Sequence, residues 1–434
     1  MGDTDGIGRR RLLRRLGTTG LAAGGAALAT AAGPAAALAA DPPVEGFVGI
    51  SVKDYGATGS GRDDSDDWAA IQRAMDECGP GGIVYLPKGT YRTSRPLVVP
   101  PGVTLMGTHG NHIDEGSAGW TQTNSRIKPL AGFAGEACLR IVDQATGAAL
   151  DRAKTEWAAA NYGQQSCEQR LVNLTLNGSA LTGSTVDAIQ FVGRIHGVIV
   201  RDVAVFDFPN HAIATNFLTY PDGGPQAAYS CRFERIAAKG CGGVTYSFNN
   251  TTDSVFTDLE AIEGGSIGFF IAGCGNSCFI ACRAEWNSLH GFDVRGGHGI
   301  VELLGCSTDA NERNGVNIDA NSNTAGLIIL NGLRLNRDGR NGGTGWGGFA
   351  GLRINGAKTS VVVSAVGVQV GIDDGGDAAV NTFHPQYGVN VDGAACVAVD
   401  SGLVHGVTAG FRDGGTSAIL KKGTTLIEVA GKPS

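Results

Sequence analysis

Hydrophobic and polar positions in the middle of this chain alternate with period two inside short segments, and the segments recur at a longer interval. Taking Phe233, Phe256, Phe279 and Val301 as equivalent gives steps of 23, 23 and 22 residues, the length of one turn of a stacked-repeat protein. The spans Leu259 to Gly268, Cys282 to Gly291 and Cys306 to Gly315 repeat the same nine-residue offset. Asn287 then falls in register with Asn311, and Phe292 with Val316. Alternation assigns faces. With Cys282 and Ala284 inward, Arg283 and Glu285 point out, as do Ser307 and Asp309 one rung later. With Phe292 and Val294 inward, Asp293 and Arg295 face out, followed by Asn317 and Asp319. The pattern predicts an all-β solenoid of parallel strands, with stacked asparagines at its turns.

The entry to this solenoid carries a more specific signal. Val52-Lys53-Asp54-Tyr55-Gly56-Ala57-Thr58-Gly59 leads into Asp63-Asp64-Ser65-Asp66-Asp67. An amphipathic stretch from Trp68 to Cys78 follows, then Gly81-Gly82-Ile83-Val84-Tyr85-Leu86-Pro87-Lys88-Gly89-Thr90-Tyr91. Trp68, Ile71, Ala74 and Met75 form one apolar stripe of a helix able to plug the open end of a solenoid. The preceding acids are placed to complement the helix N-terminus. This segment resembles the N-terminal entry of the pectate-lyase-like superfamily, which includes polygalacturonases. The resemblance implies a right-handed parallel β-helix with a short N-terminal capping helix. It names no substrate, because the same entry precedes hydrolases, lyases, epimerases and phage tailspikes.

Composition agrees with many short strands and tight turns: the chain has sixty-nine glycines in 434 residues. At its start, Arg9-Arg10-Arg11-Leu12-Leu13-Arg14 precedes an Ala/Gly run ending in Ala37-Leu38-Ala39. This reads as a twin-arginine secretory signal over residues 1–39, with one β-helix domain from 40 to 434 and a secreted, bacterial location. Glycines and Pro34 interrupt the run too often for a membrane anchor. The signal holds five arginines against Asp3 and Asp5, so its removal takes the net charge from −7 to −10. An acidic mature surface argues against nucleic acid, and with no second apolar span there is no membrane partner. The ten cysteines fall partly at equivalent positions, as Cys282 and Cys306 do, which fits stacked core thiols and leaves a disulfide between those two geometrically open. Cys274, Cys278 and Cys282 lack the partners of a zinc site, so no metal and no cofactor are expected.

Candidate chemistry comes from outward acids. Glu285 and Asp309 should stand about 5 Å apart on adjacent rungs and Asp293 and Asp319 about 7 to 8 Å apart on a diagonal. Both separations suit glycoside hydrolysis by a carboxylate pair, and close acids favour retention of one proton. Trp286, His290, Arg295 and His211 are the accompanying substrate-binding candidates, His290 being in register with His211 and Asn314. The groove is expected on the rungs from about 256 to 340. Aromatic insertions should wall it: residues 108–166 with Trp120, Trp157 and Tyr162, residues 214–228 with Tyr220, and Asp338 to Gly351 with Trp346.

Of the ordered polygalacturonase motifs only Gly297-His298-Gly299 is present. Asn287-Ser288-Leu289-His290-Gly291-Phe292 resembles rungs of alginate epimerases, without their catalytic Asp-Pro-His-Glu. The leading expectation is a glycoside hydrolase or related transferase acting on a polysaccharide or oligosaccharide as a monomer or homotrimer. A lyase or epimerase on uronic acids, with Arg283, Arg295, Arg313 and Arg353 supplying a basic groove, is the alternative, and a non-catalytic glycan-binding β-helix is the third.

Overall fold

The computed structural model describes residues 49–110, 124–143, 168–183, 185–215, 227–295, 299–319, 326–339, 348–369, 384–414, 418–421 and 426–430. Residues 1–39 lie outside this set, as do Trp120, Trp157, Tyr162, Tyr220, His298 and Trp346. Within it the chain is a parallel β-helix. Successive rungs pair parallel and in register, as Phe233 with Phe256 and Phe256 with Phe279. Cys282 and Cys306 are free, buried thiols, and Phe292 lies level with Val316.

One equivalence is corrected. Phe279 pairs with Leu303, and Val301 pairs with Ser277, so this step is 24 residues, matching Cys282 to Cys306 and Asn287 to Asn311. Val301 and Leu303 are both inward and buried; a slip of two preserves the alternation, so periodicity alone does not separate them.

Single left-handed residues turn the chain from one sheet to the next. Asn173, Asp202, Arg235, Asp258 and Ala281 have φ of 58°, 55°, 51°, 56° and 54°, and they occupy one corner of consecutive rungs. A non-glycine residue in this region costs about 1–2 kcal/mol, least for Asn and Asp. It redirects a strand without a loop, which keeps the rung short.

Inside, aromatic rings stack along the axis. Phe233 and Phe256 are 4.8 Å apart at 5°, Phe256 and Phe279 4.1 Å at 2°, and Phe269 and Phe292 4.5 Å at 6°. At a second corner an amide ladder ties rungs together. Asn287 Nδ2 donates to Asn311 Oδ1 at 2.8 Å, and Asn311 Nδ2 donates to Asp338 Oδ1 at 2.9 Å. The glycines at 268, 291 and 315 face this ladder. A Cβ at Gly291 would lie 2.6 Å from the Gly315 carbonyl oxygen, and one at Gly315 would lie 2.3 Å from Asp338 Oδ2. The recurring Asn and Gly are therefore one device: the amide approaches the backbone only where no side chain intervenes.

The capping helix α1 spans Trp68–Cys78 and buries Ile71, Ala74 and Met75 against the first rungs. Trp68 is half-buried, its Nε1 donating to Pro96 O at 2.8 Å. The acids do more than face the helix dipole. Asp66 accepts from Trp68 N at 3.1 Å, but the Asp67 carboxylate turns away, accepting from Thr58 N at 2.5 Å, Gly59 N at 3.2 Å and Arg92 N at 3.3 Å. Asp67 thus ties the entry turn to the first full rung. Among the described residues no helix is long and apolar enough to cross a membrane.

Asp338 closes the ladder with a fully buried carboxyl. Burial pushes it up to about 8, against the hydrogen bonds from Thr308 and Asn311 that favour the anion. The folded chain then holds a proton that the unfolded chain releases above its ordinary value of about 3.9. This contribution to stability is complete below that value and is lost as pH rises through about 8. Asp338→Asn, which mimics the protonated acid, should melt a few degrees above the parent at about pH 8, the gap closing toward pH 4. Thermal melts across that range check it; a constant gap would show that Asp338 is not the titrating group.

Candidate functional site

One sheet carries a repeated five-residue phrase: Gly291-Phe292-Asp293-Val294-Arg295, Gly315-Val316-Asn317-Ile318-Asp319, Gly351-Leu352-Arg353-Ile354-Asn355 and Gly388-Val389-Asn390-Val391-Asp392, closing with Gly410-Phe411-Arg412-Asp413. The apolar members are buried. The residue between them occupies the outward position, and pairing sets Asp293, Asn317, Arg353, Asn390 and Arg412 level on five successive rungs.

The N-terminal end of this column is a closed ion network. Arg295 Nε donates to both Asp293 oxygens, at 3.0 and 2.9 Å, and its NH1 reaches Asp319 Oδ2 at 2.8 Å. Asn317 Nδ2 adds a bond to Asp293 Oδ1 at 2.8 Å. Asp293 holds an outward register position yet is fully buried under these partners. The expected pair is therefore brought together, with Arg295 as its bridge.

The C-terminal end is open. A groove of about 530 Å³ is lined by His290, Arg313, Phe349, Arg353, Tyr387 and Arg412, with Asn314, Asn390 and Asp392 among them. Arg353 Nε donates to Asp392 Oδ2 at 2.9 Å and its NH1 to Asn317 Oδ1 at 3.2 Å. Arg412 NH1 donates to Asp392 Oδ1 at 3.0 Å and Asn390 Oδ1 at 3.1 Å. The guanidinium of Arg412 lies over Tyr387, 5.2 Å from the ring centre, and that of Arg313 over Phe349, at 5.9 Å. Among the described lining residues, three arginines and two aromatic rings against one carboxylate make a surface suited to planar anions carried on apolar rings.

His290 lies at the edge of this groove. Asn314 N donates to its Nδ1 at 3.2 Å, so the neutral ring carries its proton on Nε2. Burial lowers its pKa to about 4, helped by Arg313, Arg295 and Arg353 and opposed by Asp293.

The remaining candidates lie apart from the groove. Glu285 and Asp309 do stand level on adjacent rungs, but each is held by its own arginine. Arg283 pairs with Glu285, and Arg337 NH2 with Asp309 Oδ2 at 2.5 Å; no hydrogen bond joins the two acids. Trp286 is the half-buried left-handed corner residue beside them, with φ of 60°. His211 shares the turn column of His290 three rungs earlier, its Nδ1 2.7 Å from Val244 O. Sequence reasoning reached Arg313 and Arg353 but missed Phe349, Tyr387, Asn390, Asp392 and Arg412. The five-residue phrase was the signal that would have found most of them.

Comparisons with known proteins agree with this architecture. Residues 49–128 match the family described as rhamnogalacturonase A/epimerase, pectate lyase-like. Mannuronan C5-epimerase AlgE2 of Azotobacter vinelandii is 32% identical over 181 residues, covering 38% of this chain and 16% of that protein. Alginate lyase 7 of the same organism is 29% identical over 181 residues, covering 38% and 18%. The matched part therefore spans under a fifth of either relative. Among solved structures, the A-module of A. vinelandii mannuronan C-5 epimerase AlgE4 superimposes with a TM-score of 0.51 at 16% identity, over 88% of this chain and 95% of that one. The shared feature is the fold, a pectate-lyase-like right-handed parallel β-helix.

His290 should titrate near pH 4, remaining a neutral Nε2–H donor above about pH 5. Nitrogen-15 NMR of the imidazole reads both tautomer and midpoint, and Arg313→Ala should move the midpoint upward. A midpoint at the ordinary 6.5 would show a solvated ring.

Proposed function

We propose that this chain is a carbohydrate-active enzyme that acts on a uronate-bearing polysaccharide and reacts at the carbon next to the carboxylate, as a lyase or epimerase. The observation that carries this reading is the charge of the groove, where, among the described residues that line it, Arg313, Arg353 and Arg412 converge against Asp392. Such a surface attracts a substrate carboxylate. Its guanidinium groups also stabilise the charge that accumulates on that carboxylate when the neighbouring C5 proton leaves. Tyr387 supplies the hydroxyl assigned to proton transfer there, and His290, held as a neutral Nε2–H donor, is assigned to hydrogen-bonding the substrate. Elimination would deliver the proton to the departing O4, and epimerisation would return one to the opposite face of C5. The epimerase and lyase names of the sequence relatives support the same substrate class.

Hydrolysis by a carboxylate pair is the second reading, favoured by the level placement of Glu285 and Asp309. Against it, arginines already neutralise both acids. Export by the twin-arginine route belongs to the proposal as well, supported by Arg9 to Arg14 and the Ala/Gly run after them.

The test is incubation with polymannuronate, polyguluronate and polygalacturonate, reading unsaturated products by ultraviolet absorbance, C5 inversion by proton NMR and new reducing ends by colorimetry. Unsaturation or inversion is expected. Tyr387→Phe should then lower turnover by about 10²-fold or more with binding retained, and Arg353→Gln should raise KM by about tenfold, the scale of one charge-assisted hydrogen bond. Saturated reducing ends that vanish in Glu285→Gln or Asp309→Asn would establish hydrolysis instead.

A further inference from the structure

We propose that the groove is an axial carboxylate ladder, in which Arg353 and Arg412 take the carboxylates of alternate sugars of one extended chain and Asp392 is the positioning residue that fixes their spacing. This rests on the uronate reading above and adds the substrate's direction, register and minimum length.

Arg353 pairs with Asn390 and Asn390 with Arg412, so the Cα atoms of the two arginines stand two rungs apart, about 10 Å at the usual strand spacing. One rung is close to the length of one pyranose residue in an extended 1,4-linked chain. A glycan lying along the solenoid axis therefore meets about one sugar per rung. In a ribbon-like chain, successive carboxylates point to opposite sides, and those on one side recur at every second sugar. That period is the period of the arginines. The rung between them presents the Asn390 amide, which suits the hydroxyls of a sugar whose carboxylate faces away.

Asp392 explains how two long side chains hold this spacing. The pairing runs Ile354 with Val391 and then Asn355 with Gly393, so a bulge leaves Asp392 as the extra residue. Its carboxylate receives Arg353 Nε at 2.9 Å and Arg412 NH1 at 3.0 Å, and Asn390 Nδ2 reaches it at 3.2 Å. Each arginine is thereby fixed on its inner side, and Tyr387 supports Arg412 from its ring face. Pre-ordering of this kind lowers the entropy cost of binding.

The experiment is calorimetric titration of the full chain with mannuronate di-, tri- and tetrasaccharides and with their neutral methyl esters. A trisaccharide is the shortest ligand that reaches both arginines. It should bind about tenfold or more tighter than the disaccharide, one further charge-assisted contact, and the tetrasaccharide should add little. Arg412→Gln should erase that step while sparing disaccharide binding, and Arg412→Lys, which keeps the charge without the planar fork, should retain part of it. Asp392→Ala should shrink the step at an unchanged melting temperature, an effect that loss of folding would not produce. Equal binding of di- and trisaccharide, with uronates still preferred to esters, would overturn the ladder and leave the uronate reading standing. Binding of the esters in preference to the uronates would overturn both.

Discussion

The structure depends on registry between rungs. A parallel solenoid brings each residue directly beneath its equivalent, so every side chain is selected by what lies one strand spacing above and below it. Phenylalanine over phenylalanine satisfies this inside, where near-parallel rings follow the axis. At the corner an amide is self-complementary, with an acceptor for the rung below and a donor for the rung above. Asn287 and Asn311 use both ends, Asn287 Oδ1 accepting from Gly264 N and Asn311 Oδ1 from Asn287 Nδ2. Asp338 ends the series with Thr308 and Asn311 as its partners, at the point where the regular rung gives way to the Gly-rich insertion.

The same registry makes the outer surface a column rather than a scatter of residues. A substitution changes one element of a periodic row, and function is read from the order of the row: Asp293, Asn317, Arg353, Asn390, Arg412. The order moves from acid to base along the axis. The acidic end is consumed by Arg295, and the basic end remains open. The bulge at Asp392 interrupts the repeat where the two outer arginines must be kept from repelling each other.

Much of this was legible in the sequence. Gly291 to Arg295 and Gly315 to Asp319 fixed faces and register, Asn287 with Asn311 gave the corner, and Trp68 to Cys78 gave the cap. The step to Val301 went astray because alternation tolerates a slip of two. The acids were recognisable as outward, but their partners were not. Arg337 is itself a left-handed corner residue, with φ of 51°, and its reach back to Asp309 is a matter of side-chain geometry that spacing does not encode. The groove was harder still. The insertion after Asp338 breaks the period, so Tyr387, Asn390 and Arg412 could be phased only by the Gly-apolar-polar-apolar phrase that they share with the rungs before it.

Stacked charges decide which part of the column can bind. Two carboxylates one rung apart, about 5 Å, repel by about 3 kcal/mol at an effective dielectric of 20. A solenoid that repeats acids must therefore interleave cations, and Arg283, Arg295 and Arg337 do so among Glu285, Asp293, Asp309 and Asp319. These ion pairs tie the acids to the wall of the solenoid. At Arg353 and Arg412 the balance reverses: one acid serves two arginines, and Arg313 stands over Phe349. Charge excess, aromatic support and an open groove coincide there. The constraint that pairs the outward acids with arginines is thus the one that leaves the unbalanced positive charge of the groove at the C-terminal rungs.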